Sequence, residues 1–156
     1  MANILAIDQG TSSTKALVVA DAGGVLGEGS ASVNPEAKSG GAVEQDPQEL
    51  LESIVSAGRA ALAAAGVPVE AVGIANQGET VLRWDRESGK PLGPALSWQD
   101  RRAAPITREL ESHADRLTEI TGLPLDPYFA APKMTWLRRE TGDEGVITMI
   151  DAWLNQ

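Results

Sequence analysis

The segment from Asp8 to Lys15 gathers side chains that could bind the phosphates of a nucleotide. It reads Asp-Gln-Gly-Thr-Ser-Ser-Thr-Lys and lies between two apolar runs, Ile4 to Ile7 and Ala16 to Ala20. A carboxylate at the end of a buried strand is a suitable ligand for a divalent metal ion such as Mg²⁺. Phosphate oxygens could be bound by the backbone N–H groups, hydroxyls and ammonium group of the residues that follow, which are Gly10, Thr11, Ser12, Ser13, Thr14 and Lys15.

The same composition is also typical of an ordinary hairpin turn between two strands. The residues of this segment alone favour neither interpretation. The segment lacks the Gly-Lys-Ser/Thr ending of a Walker loop and the G-x-G-x-x-G spacing of a dinucleotide-binding turn. Both of those nucleotide-binding folds are therefore disfavoured.

Charge and composition limit the partners that this chain can have. The 156 residues carry a net charge of −9 with no block of basic residues, which argues against nucleic acid and anionic membranes as partners. Hydrophobic residues make up 42 % of the chain, as in an ordinary globular domain, and no apolar run is long enough to cross a membrane. The chain has no cysteine. We therefore expect a cytoplasmic protein with a small-molecule partner.

The elements that must position the first segment are strands followed by a helix. Asn3 to Ile7, Ala16 to Ala20 and Val25 to Val33 predict an antiparallel meander. Asp46 is the predicted cap of a helix that begins at Pro47, with Glu49 completing a capping box and Gly66 and Pro68 ending the helix.

Further strands are predicted after the helix. Ala71 to Ala75 is expected to be a buried strand, Val81 to Trp84 a second one, and a third extended piece ends at Trp98. Three strands, a crossover helix and another strand are similar to the opening of the actin-like ATPase fold, which is ribonuclease H-like. The predicted fold class is therefore α/β, with a mixed sheet, early antiparallel strands and flanking helices.

Motifs in the second half of the chain strengthen this likeness. With the Asp8 segment, five separated motifs resemble those of the FGGY family of carbohydrate kinases, and of glycerol kinases within it, in order and spacing. The other four are 43-VEQDP-47, 73-GIANQGET-80, 97-SWQDRR-102 and 121-TGLPLDPYF-129. The resemblance spans essentially the whole chain.

For the first segment, the resemblance implies ATP and Mg²⁺ as cofactors. Asp8 would hold the magnesium ion, directly or through water, because a carboxylate is a hard oxygen ligand. Gly10 to Thr14 would surround the phosphates. Lys15, which stands where a glycerol kinase usually has arginine, would add positive charge.

For the other motifs, the resemblance implies a polyol or sugar as the small-molecule substrate. Glu79 would accept hydrogen bonds from two substrate hydroxyls, or else is a solvated charge after a strand. Trp98 would form an apolar wall against the carbon chain of the polyol, or else is a core tryptophan. Tyr128 would reach a hydroxyl from a loop, or else anchors that loop.

Three charged or titratable residues near these motifs are expected to have no catalytic role. Asp100 and Arg101 are interpreted as a helix cap and an ion pair that position Trp98, because the stretch to Ser112 is predicted to be helical. His113 is the lone histidine, lies in a polar stretch, and is assigned no function.

Gly78 departs from the family pattern and belongs to the candidate substrate-binding set. It stands where glycerol kinases carry an arginine that reaches the polyol. The lost charged donor would forfeit about 1.5–3 kcal/mol of hydrogen bonding. A different or larger polyol is therefore plausible.

The length is a second departure, because family members have two actin-like domains closing on ATP and substrate. The chain is expected to form the N-terminal part of the first domain over residues 1–156, with the second domain absent. The general-base aspartate is expected beyond Gln156, so no catalytic residue is assigned here and the chain alone is predicted to be inactive.

Three functions stay open. The chain is the N-terminal portion of an ATP-dependent polyol or sugar kinase, or a non-catalytic domain that binds a polyol or a partner chain, or another actin-like ATPase. Association into homo-oligomers also stays open.

Overall fold

The computed structural model describes residues 2–156. These residues form two compact units, one made of residues up to 35 together with 45–77, and the other of residues 36–44 together with 78–156. The strands are β1 (Asn3–Gln9), β2 (Ser13–Ala20), β3 (Val25–Ser32), β4 (Glu36–Ala37), β5 (Val43–Gln45), β6 (Ala71–Asn76), β7 (Val81–Trp84), β8 (Ala95–Leu96) and β9 (Val146–Met149). The helices are α1 (Pro47–Ala65), α2 (Ala104–Glu109), α3 (Ala114–Thr121), α4 (Ala130–Thr141) and α5 (Ile150–Leu154).

The first unit is a four-stranded sheet with one long helix against it. The strand order is β3-β2-β1-β6, with antiparallel pairing of the first three strands and parallel pairing of β1 with β6. The predicted meander is confirmed, with strand ends displaced by a few residues. Helix α1 is the crossover that allows β6 to run parallel to β1.

Helix α1 begins and ends on the predicted residues. The Asp46 carboxylate accepts the N–H of Gln48 at 2.8 Å, and Gly66 ends the helix in the left-handed conformation with φ 62°. The predicted capping box is wrong, because the Glu49 carboxylate accepts the side-chain N–H of Asn34 at 2.7 Å. This bond ties the start of the helix to the chain after β3.

Two glycines of β3 allow α1 to lie directly on the sheet. A Cβ at Gly29 would stand 2.2 Å from the carbonyl oxygen of Ala57, and one at Gly27 would stand 2.4 Å from the nitrogen of Ala65. Because these contacts are with helix backbone, no rotamer change could relieve them. The glycines therefore fix the close approach of the helix to the sheet.

The sequence correctly predicts β6 as a strand but not its exposure. β6 is the last strand in its sheet, and the side chains of Val72 and Ile74 are 57 % and 38 % exposed. The prediction of a buried strand is therefore wrong for the described residues. An apolar run is typical of a buried strand, yet β6 has a neighbour, β1, on one side only.

The second unit contains four helices and most of a sheet of five short strands. The strand order in this sheet is β4-β5-β8-β7-β9, with β7 antiparallel to both of its neighbours. Val81, Leu96 and Leu137 form a buried core, against which Met134, Trp136 and Ile147 pack. The predicted helical stretch after Arg102 is present as α2 and a 3-10 turn at residues 111–113.

Candidate functional site

The Asp8–Lys15 segment forms the tip and flanks of a hairpin in the first unit. β1 and β2 pair up to Gln9 and Thr14, and the N–H of Gly10 donates to the carbonyl of Ser13 at 3.0 Å to close the turn. A Cβ at Gly10 would stand 2.9 Å from that same carbonyl oxygen. The turn geometry therefore favours glycine at this position.

Asp8 and Lys15 stand opposite each other on the two strands, and both are exposed. Residues directly opposite in an antiparallel pair lie on the same face of a sheet. One carboxylate and one ammonium group are therefore presented side by side at the end of the hairpin.

The hydroxyl residues of the turn differ in what they present. Ser12 is exposed, whereas Thr11 and Ser13 are half-buried. Thr14 is fully buried, and its hydroxyl pairs with that of Ser53 on α1 at 2.6 Å. The Thr14 hydroxyl thus contributes to packing between sheet and helix, which does not fit its predicted place in a phosphate site.

Three buried glutamines, which the sequence analysis did not single out, hold the tip of the hairpin from behind. Gln9 donates its side-chain N–H to the carbonyl of Gly10 at 2.6 Å, and Gln45 donates to the carbonyl of Thr11 at 2.9 Å. Gln77 donates to the side-chain oxygen of Gln45 at 2.9 Å and accepts from the Thr11 hydroxyl at 3.2 Å. We call these three side chains the glutamine network.

A signal for the glutamine network is present in the sequence. Gln9, Gln45 and Gln77 each stand at or directly after the end of a strand and lie inside motifs quoted above. Buried glutamines are uncommon and need partners. Their mutual bonding depends on how the strand ends lie together, which spacing in the sequence does not specify.

Glu79, in the second unit, has a strained backbone. Its φ of 63° is the only positive φ of a residue other than glycine among residues 2–156. Such a conformation costs on the order of 1 kcal/mol or more and is found mainly at functional positions. The Glu79 carboxylate accepts the N–H of Ala130, the first residue of α4.

Trp98 and Tyr128 are brought together in the same unit. Their ring centroids are 5.6 Å apart at an interplanar angle of 63°, and Phe129 makes a similar edge contact with Tyr128 at 5.1 Å. Trp98 is half-buried and Tyr128 is 37 % exposed. Two aromatic faces with partial exposure can take up the carbon chain of a small hydroxylated ligand.

Asp100 forms an ion pair, but not with Arg101. Asp100 is fully buried, binds the guanidinium of Arg102 at 2.7 Å and accepts the N–H of Val43 at 2.9 Å. Arg101 instead pairs with Asp126 at 3.2 Å. Helix α2 begins at Ala104 without a side-chain cap, so the prediction of Asp100 as helix cap is wrong. The predicted ion pair exists, with Arg102 in place of Arg101.

The donor set at Asp8 fits magnesium rather than a metal enclosed by protein ligands. No group of three or more His, Cys, Asp or Glu side chains converges among residues 2–156. Mg²⁺ usually takes one or two carboxylates and completes its coordination with water and substrate phosphates. A single exposed carboxylate beside a Gly/Ser/Thr turn meets that requirement.

Comparison with known proteins identifies the family. The N-terminal domain of the FGGY family of carbohydrate kinases matches residues 3–156. A glycerol kinase of Brucella ovis is 43 % identical over 164 residues, which is 97 % of this chain and 33 % of that protein. The chain belongs to the FGGY family of carbohydrate kinases. It spans about a third of the length of the curated relatives that it matches.

Solved structures of FGGY kinases have the same fold, the actin-like α/β fold. The Plasmodium falciparum glycerol kinase with ADP matches 99 % of this chain and 33 % of that one, with a TM-score of 0.89 at 30 % identity. A gluconate kinase of Lactobacillus acidophilus matches 98 % of this chain and 32 % of that one, also with a TM-score of 0.89, at 18 % identity. The predicted fold class is confirmed.

The space around Gly78, where the resemblance implies an arginine in glycerol kinases, is open. Gly78 is exposed, does not have a positive φ, and a Cβ added there would meet no atom within 4 Å. The backbone would therefore accept a side chain. Glycine is not required at this position by the fold of the second unit.

No helix among residues 2–156 is both long enough and apolar enough to span a membrane.

Proposed function

We propose that this chain supplies phosphate-side and polyol-side residues of an ATP-dependent kinase that transfers the γ-phosphate to a hydroxyl of a small polyol or sugar. The observation that carries the proposal is Glu79, a carboxylate in a strained conformation that lies in the same unit as the Trp98–Tyr128 pair. An ionised carboxylate accepts hydrogen bonds only, and a polyol presents several donors. Strain at such a position is consistent with a binding role.

The proposed roles divide between the substrate and the phosphates. Glu79 binds substrate hydroxyls, while Trp98 and Tyr128 form the walls, with Gly78 leaving room beside them. In the hairpin, Gly10 to Ser13 bind phosphate through backbone N–H groups and hydroxyls, and Lys15 adds positive charge. Asp8 is the residue that would hold Mg²⁺, which when bound neutralises phosphate charge.

No residue among 2–156 is proposed as the general base. The chain orients ligands, and catalysis by this chain alone is not part of the proposed function. Phosphoryl transfer also requires an oriented nucleophile and an aligned γ-phosphate.

The test is a pair of titrations of the isotope-labelled chain followed by NMR. Mg²⁺·ATP should shift the amide signals of residues 10–13 and 15. Glycerol, xylitol or gluconate should shift those of residues 79, 98 and 128. Signals that stay in place with every polyol would contradict the substrate assignment, and unchanged hairpin signals would contradict the nucleotide assignment.

A second candidate is a non-catalytic domain that binds a partner chain. It is favoured by an exposed apolar face on the sheet of the first unit, where Ile4 is 45 % and Leu17 36 % exposed. Such a face is typical of an interaction surface. The proposed partner is a polypeptide that corresponds to the remaining two thirds of the curated relatives, which this chain does not match. If the chain stays monomeric and unchanged when it is mixed with such a polypeptide, the second candidate function is contradicted.

A further inference from the structure

Lys133 is a buried cation that neither the hairpin nor the polyol contacts explain. Its side chain has 0 % relative exposure, although lysine is almost never fully buried. The residue lies in the first turns of α4, four positions after Phe129. Its position is costly, since a positive charge near a helix N-terminus opposes the helix dipole.

The Lys133 ammonium group binds backbone carbonyls instead of a carboxylate. It donates to the carbonyl oxygens of Phe129 at 3.0 Å and Pro127 at 3.4 Å, and also to that of Tyr128. An ammonium group has three donors. Three consecutive carbonyls of the loop before α4 are therefore gathered around one cation.

This loop carries one predicted polyol contact, Tyr128, and the helix that follows it bonds to a second, Glu79. Tyr128 is its middle residue, and Ala130, the next residue but one, donates its N–H to Glu79. Lys133 also lies near the Tyr128 ring, with Nζ 5.9 Å from the ring centroid. The positions of the aromatic ring and of the carboxylate thus both depend on where the loop backbone lies.

We propose that Lys133 is a positioning residue, which holds the 127–129 backbone so that Tyr128 stands beside Trp98 and the first amide of α4 meets Glu79. The claim that this loop position matters for polyol binding rests on the proposed function. The claim that Lys133 holds the loop does not rest on it.

The effect of Lys133 on the loop can be measured as a function of pH. Burial lowers the pKa of Lys133 to about 8, while attraction by Glu79, Asp100 and Asp126 opposes that change and repulsion by Arg101 adds to it. A transition near pH 8 would therefore report Lys133 itself.

The experiment measures carbonyl carbon chemical shifts of residues 127–129 by NMR as a function of pH. In the unaltered chain, the three signals should move together with one midpoint near pH 8. In Lys133→Met, which keeps an unbranched side chain one heavy atom shorter and removes the charge, the transition should be absent. Carbonyl shifts that do not respond between pH 7 and 9.5 in the unaltered chain would overturn the proposal without any variant.

The matched control is Arg138→Met, which removes one positive charge from an exposed position on the same helix. It should keep the carbonyl transition. Loss of the transition in this control as well would show that the net charge of α4, rather than the Lys133 contact, moves the loop.

A glycerol titration of the same samples separates this inference from the proposed function. We expect Lys133→Met to weaken glycerol binding about tenfold and Arg138→Met to leave it unchanged. Equal affinity in Lys133→Met despite an altered loop would overturn the claim that the loop positions the site. If glycerol does not bind the unaltered chain, the proposed function fails, and the carbonyl transition still decides whether Lys133 holds the loop.

Discussion

The hairpin tip and the Glu79–Tyr128 region are held in place by opposite kinds of chemistry. Behind the hairpin lies the glutamine network, which is neutral and bonds to backbone carbonyls and to itself. Around Tyr128 the loop is held by a buried ammonium group and by the Glu79 carboxylate. Neutral amides fix geometry at any ordinary pH, whereas a buried charge fixes it only while the group stays ionised.

The difference suits the ligands that each region is proposed to bind. A phosphate group brings its own charge, so an uncharged support behind the hairpin adds no competing ion. A polyol is neutral, so charged supports can be used without repelling it. Each of the following changes tests one side of this comparison.

The largest effect is expected from Glu79→Ala. It removes the carboxylate proposed to accept two substrate hydroxyls and leaves the Ala130 N–H without that partner. Loss of a charged acceptor corresponds to about 1.5–3 kcal/mol, or roughly a tenfold to hundredfold loss of glycerol affinity, measured by calorimetric titration.

Glu140→Ala, at an exposed position of α4, is the control for Glu79. It should bind glycerol as the unaltered chain does. Normal affinity in Glu79→Ala would remove Glu79 from the site and leave its backbone strain unexplained.

Gln77→Leu disrupts the glutamine network, which is the uncharged support of the hairpin. It leaves the side-chain oxygen of Gln45 and the hydroxyl of Thr11 without their contacts to Gln77. A buried polar group that loses its partner costs about 1–3 kcal/mol, so the free energy of unfolding in urea should fall by about 2 kcal/mol. This loss should be the same at pH 6 and pH 9, because no group of the network titrates between them.

Gln48→Ala is the matched control, since Gln48 is an exposed glutamine on α1 that bonds only within its helix surface, to Glu52 at 3.1 Å. It should change the free energy of unfolding by less than about 0.5 kcal/mol. A pH-dependent loss in Gln77→Leu would contradict the distinction between the two regions.

Gly78→Arg tests whether the polyol region can take an additional charge. Because a Cβ there meets no atom within 4 Å, the variant should fold normally. If glycerol is the substrate, affinity should rise by about tenfold, the lower end of what a charged hydrogen bond contributes.

The control is Gly93→Arg, which adds the same side chain at another exposed glycine with open space. It should leave glycerol binding unchanged. A gain in neither variant would indicate a substrate of a different shape, for which the same titration with xylitol or gluconate is the next measurement.

Local signals were sufficient for much of the fold. The meander, the Asp46 cap and the Gly66 stop follow from alternation, capping chemistry and glycine conformation, and the structure confirms all three. The exposure of β6 could not be predicted, because it depends on which strands lie beside it rather than on its own residues. Glu49 likewise bonds to Asn34, a partner fifteen positions away that a local capping rule does not consider.

The candidate site divides in the same way. The family motifs pointed to Glu79, Trp98 and Tyr128, and the structure places these three in one unit with the two rings in contact. The glutamine network and Lys133 were missed because their partners are mostly backbone carbonyls, which carry no residue-specific signal. The choice of Arg102 over Arg101 as partner of Asp100 also depends on side-chain direction, which spacing alone leaves open.

The last effect expected is a pH-dependent change in stability that belongs to Lys133. In the folded chain its pKa is about 8, whereas in the unfolded chain it returns towards 10.5. Between these values the unfolded state binds more protons, so raising the pH favours the folded state. Relative to Lys133→Met, the unaltered chain should gain unfolding free energy between pH 8 and 10.5, as measured in urea titrations.

The expected gain in unfolding free energy is opposite in direction to the expected change in the loop. The urea titrations and the carbonyl shifts are therefore complementary. As Lys133 loses its proton the whole chain becomes harder to unfold, while the hold on the three carbonyls weakens because a neutral amine has only two donors. Stability that rises with pH while the 127–129 signals show a loosened loop would therefore separate the support of the site from the support of the fold.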